Sequence, residues 1–223
     1  LRVGERIALL GDAGSGKTTL LEVLAARRCL HEGDIVWDDR SYSELRDDLG
    51  THVVLSSLQA SFVRRTLREL INIGSEPPDA AVADLLEQCG VDDIVARLPE
   101  GLDSRVGSDE LSPNEVRVVS IARTLNRPAS VRLFDDVVAG LNDRVASVIL
   151  KTILAANSAT LTVVSLARPV GMKHFDRIVE ISCGSVVFDG TSEQWLATQT
   201  PAASQHSPGN HGASDPTARR AAP

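Results

Sequence analysis

The chain has 223 residues, 43% of them hydrophobic, enough for one domain with a tail or for two small domains. A formal net charge of −7 argues against non-specific nucleic-acid binding, and 3% aromatic residues argue against a base-stacking platform. No apolar run approaches the ~20 residues needed to span a bilayer, no leader-like basic-then-apolar stretch opens the chain, and Cys29, Cys89 and Cys183 lack metal-ligand spacing and suit a reducing compartment.

Arg6 to Leu10 is a short apolar run that predicts a buried strand. Gly11 to Thr19 follows as GDAGSGKTT and fits G-x-x-x-x-G-K-[ST]. Leu20 to Arg28 is apolar at helical spacing, with Arg27 and Arg28 expected in the last turn. A strand before and a helix after make the motif credible as a phosphate-binding loop. In such a loop Gly11, Gly14 and Gly16 let the backbone wrap a phosphate, with Asp12, Ala13 and Ser15 between them. Successive N–H groups at the helix start donate to phosphate oxygens. Lys17 reaches the β- and γ-phosphates, the Thr18 hydroxyl ligates Mg2+, and Thr19 completes the run.

Further along, Gly33 to Trp37 reads as a strand turning at Asp38-Asp39-Arg40, Ser43 to Leu49 as a short helix, and His52 to Leu55 as a strand. Thr66 to Ile73 reads as a helix whose Thr66 and Glu69 form a capping box, and Ala80 to Cys89 as a helix closed by Gly90. Leu98 to Leu102 is a loop, and Ser112 opens a helix running to about Leu125. No clear strand falls between Leu67 and Leu125, which predicts a helical insertion. Ser130 to Phe134 is a buried strand ahead of two acids, Asp135 and Asp136. A helix over Arg144 to Ala156, a strand over Thr160 to Leu166, a hairpin turning at Cys183-Gly184 and a helix over Glu193 to Thr198 follow. The alternation of strands and helices predicts an α/β fold with a mostly parallel sheet flanked by helices. Past Gln199 the chain is rich in Ala, Pro and Ser, which predicts disorder; His206 and His211 there read as part of a solvated linker. The division expected is a domain over 1–197 and a tail over 198–223. Since Leu1 comes first and the only methionine is Met172, further sequence is expected upstream.

Four stretches in order, LPEGLDSRVG (98–107), SIARTL (120–125), VRLFDD (131–136) and IVEISCGSVVFDG (178–190), make the chain resemble the nucleotide-binding domain of ATP-binding-cassette (ABC) transporters, exporter type. The resemblance covers about Leu1 to Leu196. It implies a P-loop NTPase-type sheet, a helical subdomain inserted over about 67–125, and family strands with an adenine-stacking aromatic lying before Leu1. By the same resemblance, Asp135 joins Thr18 at Mg2+; a loop acid capping the next turn is the plainer alternative. A transmembrane domain, on this chain or another, and a second nucleotide-binding domain are the implied partners, with no nucleic acid. The implied place is the cytoplasmic side of the cell membrane.

Against the family pattern, several positions depart. Asp136 stands where the family has a catalytic glutamate, and general-base help is typically ~10²–10⁴-fold. Leu111-Ser112-Pro113-Asn114-Glu115 replaces the signature LSGGQ, which in the family faces the partner domain's γ-phosphate across a dimer interface; Pro113 has no N–H, and Glu115 is expected to repel that phosphate. The same residues read as a capping box with proline at the first helical position, the preferred reading. The switch histidine falls at Leu166 or Ala167, and the metal-linked glutamine at Ser56 or Leu58, with Gln59 out of register. Asn142 replaces an aspartate, and the segment Ser108-Asp109-Glu110 is short. Three readings follow: a degenerate transporter domain with weak hydrolysis, an active ATPase using Asp136 as base, or a regulatory or scaffold protein that kept the fold.

Overall fold

The computed structural model describes residues 1–37, 39–41, 44, 49–57, 64–72, 84, 86, 87, 92–107, 109–156 and 159–199. Its centre is a six-stranded sheet built from β1 (Arg6–Leu10), β4 (Val53–Ser57), β7 (Val131–Asp135), β8 (Leu161–Leu166), β9 (Arg177–Ser182) and β10 (Ser185–Thr191). The order is β10-β9-β1-β8-β7-β4. Every neighbouring pair is parallel except β9 with β10, which turn back on each other at Cys183-Gly184. Both turn residues have positive φ, 49° and 78°, so the hairpin expected there forms with a turn whose twist matches its strands.

The central strands are apolar on both sides because helices cover both faces. From β1, Ile7 and Leu9 enter one core with Leu133, Val163 and Ile181; Leu21 and Ala25 of the first helical segment pack there. Ala8 and Leu10 enter the other core with Phe134, Val164 and Ile178. That second core takes the buried faces of α2 (Leu67–Ile71), α4 (Pro113–Asn126), α5 (Asp143–Ala155) and α6 (Ser192–Gln199). Two-fold alternation along the central strands β1, β7, β8 and β9 thus feeds two cores rather than one core and solvent.

Between the sheet strands, the described part of 67–126 is mainly helical, including α3 (Asp92–Arg97). The expectation of no strand there is corrected: β6 (Arg105–Val106) pairs antiparallel with β5 (Arg65–Thr66). A two-residue ladder has no readable period. Both predicted capping boxes form, Thr66 with Glu69 and Ser112 with Glu115.

Two more boundaries differ from expectation. The helix after the phosphate loop, α1, runs from Lys17 to Leu24. Arg27 and Arg28 lie beyond it because Ala26 turns left-handed at φ 54° and the chain leaves the axis. Instead, Arg27 donates to the Leu55 carbonyl at 3.2 Å. The strand expected over Gly33 to Trp37 is reduced to β2 (Val36–Trp37), paired with β3 (Arg40–Ser41). The expected helix over Ala80 to Cys89, most of that over Ser43 to Leu49, and the tail past Gln199 lie outside the described residues.

Candidate phosphate-binding site

Strand β1 delivers the chain into the loop at Gly11, whose N–H donates to the Leu166 carbonyl at the end of β8 at 3.2 Å. A Cβ on Gly11 would stand 2.3 Å from the Ile181 backbone oxygen, a collision no side chain avoids. Gly16 caps α1 in a left-handed conformation, φ 103°, which favours glycine. No side chain caps this helix end and no acid lies in its first turn. Its N–H groups and the positive end of its dipole therefore meet no carboxylate from their own helix turn.

Lys17 is 8% exposed, and its ammonium donates to the carbonyls of Gly11 at 2.6 Å and Asp12 at 2.8 Å. Ser15, also buried, accepts from it at 3.4 Å. The lysine is thus folded across the loop that carries it. Beyond lies a cleft of about 300 Å³, lined by Gly14, Gly16, Lys17, Thr18 and Thr19 on one side and Asp135, Asp136 and Ala167 on the other. The structure therefore brings the loop, both acids and the end of β8 together.

Asp135 ends β7 and is buried. Ser165 of β8, fully buried, donates to Asp135 Oδ1 at 2.7 Å. The same hydroxyl accepts the Asp136 N–H at 2.8 Å. One serine thus orients both acids, and only its place as a hydroxyl within the apolar strand LTVVSL hints at that in sequence. Asp136 adopts a left-handed backbone, φ 52°. Burial, then the charge of Asp135, push its carboxyl above the usual aspartate range, while Lys17 and Arg117 pull the other way.

Mg2+ takes oxygen ligands, commonly one or two from protein with the rest from phosphates and water. A hydroxyl at Thr18 and a carboxylate at Asp135 across one cleft suit that set. Among the described residues no group of three or more His, Cys, Asp or Glu gathers as a denser metal site.

At the switch position the two sequence registers separate. Leu166 is 1% exposed and belongs to the core, whereas Ala167 lines the cleft. Ser56 is buried with its Oγ 3.0 Å from Ser120 Oγ, so it packs on α4; Leu58 and Gln59 lie outside the described residues. Asn142 caps α5, its Oδ1 accepting the Val145 N–H at 3.0 Å.

The Ser112–Glu115 turn is not among the residues lining the cleft. Ser112 Oγ accepts the Glu115 N–H at 3.3 Å, and Glu115 Oε2 accepts the Ser112 N–H at 2.7 Å. Glu115 Oε1 pairs with Arg97 of α3. The preferred capping reading is what forms: the Glu115 carboxylate is folded into the cap and paired with Arg97.

Comparison with known proteins matches this arrangement. A family profile described as ABC transporter matches residues 1–139, more than half of the chain. The mycobactin import ATP-binding/permease protein IrtB of Mycolicibacterium thermoresistibile is 31% identical over 204 residues, covering 88% of this chain and 35% of that protein. An ATP-dependent lipid A-core flippase of Francisella tularensis subsp. holarctica is 27% identical over 201 residues, 88% of this chain and 33% of the flippase. Among solved structures, a bacterial Atm1-family ABC exporter with ATP bound superposes with a TM-score of 0.77 at 27% identity, over 89% of this chain and 35% of that one. The chain thus spans about a third of the length of these relatives. No helix among the described residues is long and apolar enough to cross a membrane. With the loop motif, the acid-bearing strand and the sheet order all in place, this chain belongs to the ABC transporter family.

Proposed function

We propose that this chain is the Mg-ATP-binding domain of an exporter-type ABC transporter, which drives or gates transport through a membrane domain and turns ATP over slowly. The observation that carries it is the cleft in which Lys17, Thr18 and the uncapped start of α1 face Asp135. Gly11 to Thr19 wrap the phosphates through backbone N–H groups, and Lys17 supplies the cation. Thr18 and Asp135 hold Mg2+, which when bound neutralises phosphate charge. The relatives named as ATP-binding/permease proteins support a membrane partner; in this reading the domain lies on the cytoplasmic side of the membrane and pairs with a second nucleotide-binding domain.

Slow turnover is supported by Ala167, which brings no imidazole to the cleft, and by Pro113, which brings no N–H to the turn before α4. A second reading, an ATPase using Asp136 as base, is favoured by the place of Asp136 in the cleft beside Lys17 and Thr18. Calorimetry with Mg-ATP tests the binding: wild type binds and Lys17→Ala loses most of the affinity. Equal affinities would reject the site. Steady-state phosphate release separates the two readings, since turnover near the ~10 s⁻¹ typical of enzymes, abolished by Asp136→Asn, supports the second.

A further inference from the structure

Arg117 lies in the first turns of α4, and its guanidinium joins two places that are distant in sequence. Nη1 donates to Asn114 Oδ1 at 3.0 Å, inside the turn that opens the helix. Nη2 donates to the Ala139 carbonyl at 2.9 Å, in the loop between β7 and α5. Nε is buried without a hydrogen-bond partner. Ala139 in turn donates its N–H to the Asp136 carbonyl at 2.9 Å. A continuous path therefore runs from Asn114 through Arg117 and Ala139 to Asp136.

Asp136 needs such support. A non-glycine residue at φ 52° persists where its surroundings over-determine it. Ser165 holds its N–H from the side of the sheet. Val137 and Val138 are buried next to it. Arg168, one residue past Ala167, holds the far end of the same loop, donating to the Leu141 carbonyl at 2.5 Å and pairing with Asp143. Of these two arginines, Arg168 is the more replaceable, because its partner Asp143 is 79% exposed. Arg117 is half-buried, and a guanidinium fork spanning two acceptors has no equal among other side chains.

We propose that Arg117 is a positioning residue for Asp136, tying the Ser112–Glu115 turn to the 137–142 loop so that the two shift together. The functional part rests on the proposed Mg-ATP site; the mechanical part does not.

The test uses the full chain with Arg117→Gln and Arg117→Lys, comparing amide hydrogen exchange, Mg-ATP affinity and single-turnover phosphate release with protein in excess. In Arg117→Gln, exchange at the Ala139 and Leu141 amides rises ~10-fold and single-turnover release falls ~10-fold, while Mg-ATP affinity stays within ~2-fold. Arg117→Lys, which keeps the charge but loses the fork, falls between. It carries the comparison if Arg117→Gln does not fold. Wild-type exchange at both amides, or a release rate unchanged from wild type, overturns the proposal. So does an affinity loss matching the rate loss, which would make Arg117 a plain binding or folding residue. If wild type does not bind Mg-ATP, the site assignment fails, and exchange alone still judges the tie.

Discussion

Two helices of this protein begin at polar turns, and they end up in opposite chemical states. The first turn of α1 starts at a left-handed glycine with no side chain on its N–H groups. At α4, Ser112 and Glu115 satisfy each other's backbone donors, Pro113 removes one more, and Arg97 cancels the carboxylate. A helix start left bare attracts an anion; one closed by its own side chains gains stability and has little left to offer a phosphate. The same element of structure is the proposed ligand site in one place and a finished cap in the other, and the choice between glycine and a Ser-Pro-x-Glu pattern decides which.

The largest effect separating them comes from Lys17→Ala. Removing a buried ammonium that would reach two phosphates costs about 3 kcal/mol of Mg-ATP binding, roughly a hundredfold. Titration calorimetry reads it directly. The mirror change, Ser112→Ala, leaves that affinity unaltered and lowers unfolding stability by about 1 kcal/mol in urea. A loss of nucleotide affinity in Ser112→Ala would erase the distinction.

Ser165→Ala comes next, because this one hydroxyl serves both acids facing the loop. Alanine leaves the Asp135 oxygen and the Asp136 N–H without their shared partner in a buried place. The expected loss is about 2 kcal/mol of stability by denaturant unfolding. Ser165→Thr, which keeps the hydroxyl, recovers part of it.

Much of this frame was legible because local rules carry it. Strand β1 spans Arg6 to Leu10 as its apolar run predicts, and the T-x-x-E and S-x-x-E patterns at Thr66 and Ser112 mark helix starts. The stop of α1 was not legible, since Ala26 takes a conformation that only glycine or asparagine would have announced. Ser165 and Arg117 escaped for a different reason: each acts on groups 22 to 30 residues away, and no spacing rule reaches that far. The Leu166–Ala167 ambiguity needed the sheet itself, whose alternation sends Leu166 into the core.

Glu115→Gln probes the closed helix start through pH. Burial raises the Glu115 carboxyl, but hydrogen bonds from Ser112 and Arg97 outweigh it and hold it below the usual glutamate range. A depressed acid adds stability that is fully present above its unfolded pKa, about 4.3, and is lost as pH falls through the folded value. Wild type should therefore exceed Glu115→Gln by about 1 kcal/mol at neutral pH, with the gap closing in acid below about pH 4. A pH-independent gap, seen in urea melts at several pH values, would mean that the charge of Glu115 contributes nothing to the cap.

Asp136→Glu should change least, and the smallness is informative. The added methylene extends the carboxylate by about one bond, which removes a single departure from the family pattern. The other two stay where they are: Ala167 still faces the cleft without an imidazole, and Pro113 still lacks an N–H. The backbone at Asp136 is held left-handed by Ser165 on one side and by the Ala139 turn on the other, so the longer side chain starts from a fixed point. Groups that act as one unit are not additive, and restoring one recovers little. Steady-state phosphate release should rise less than ~3-fold, or under about 0.7 kcal/mol of barrier. A rise of tenfold or more would mean that carboxylate reach alone limits turnover, and that the closed turn before α4 is no handicap to hydrolysis.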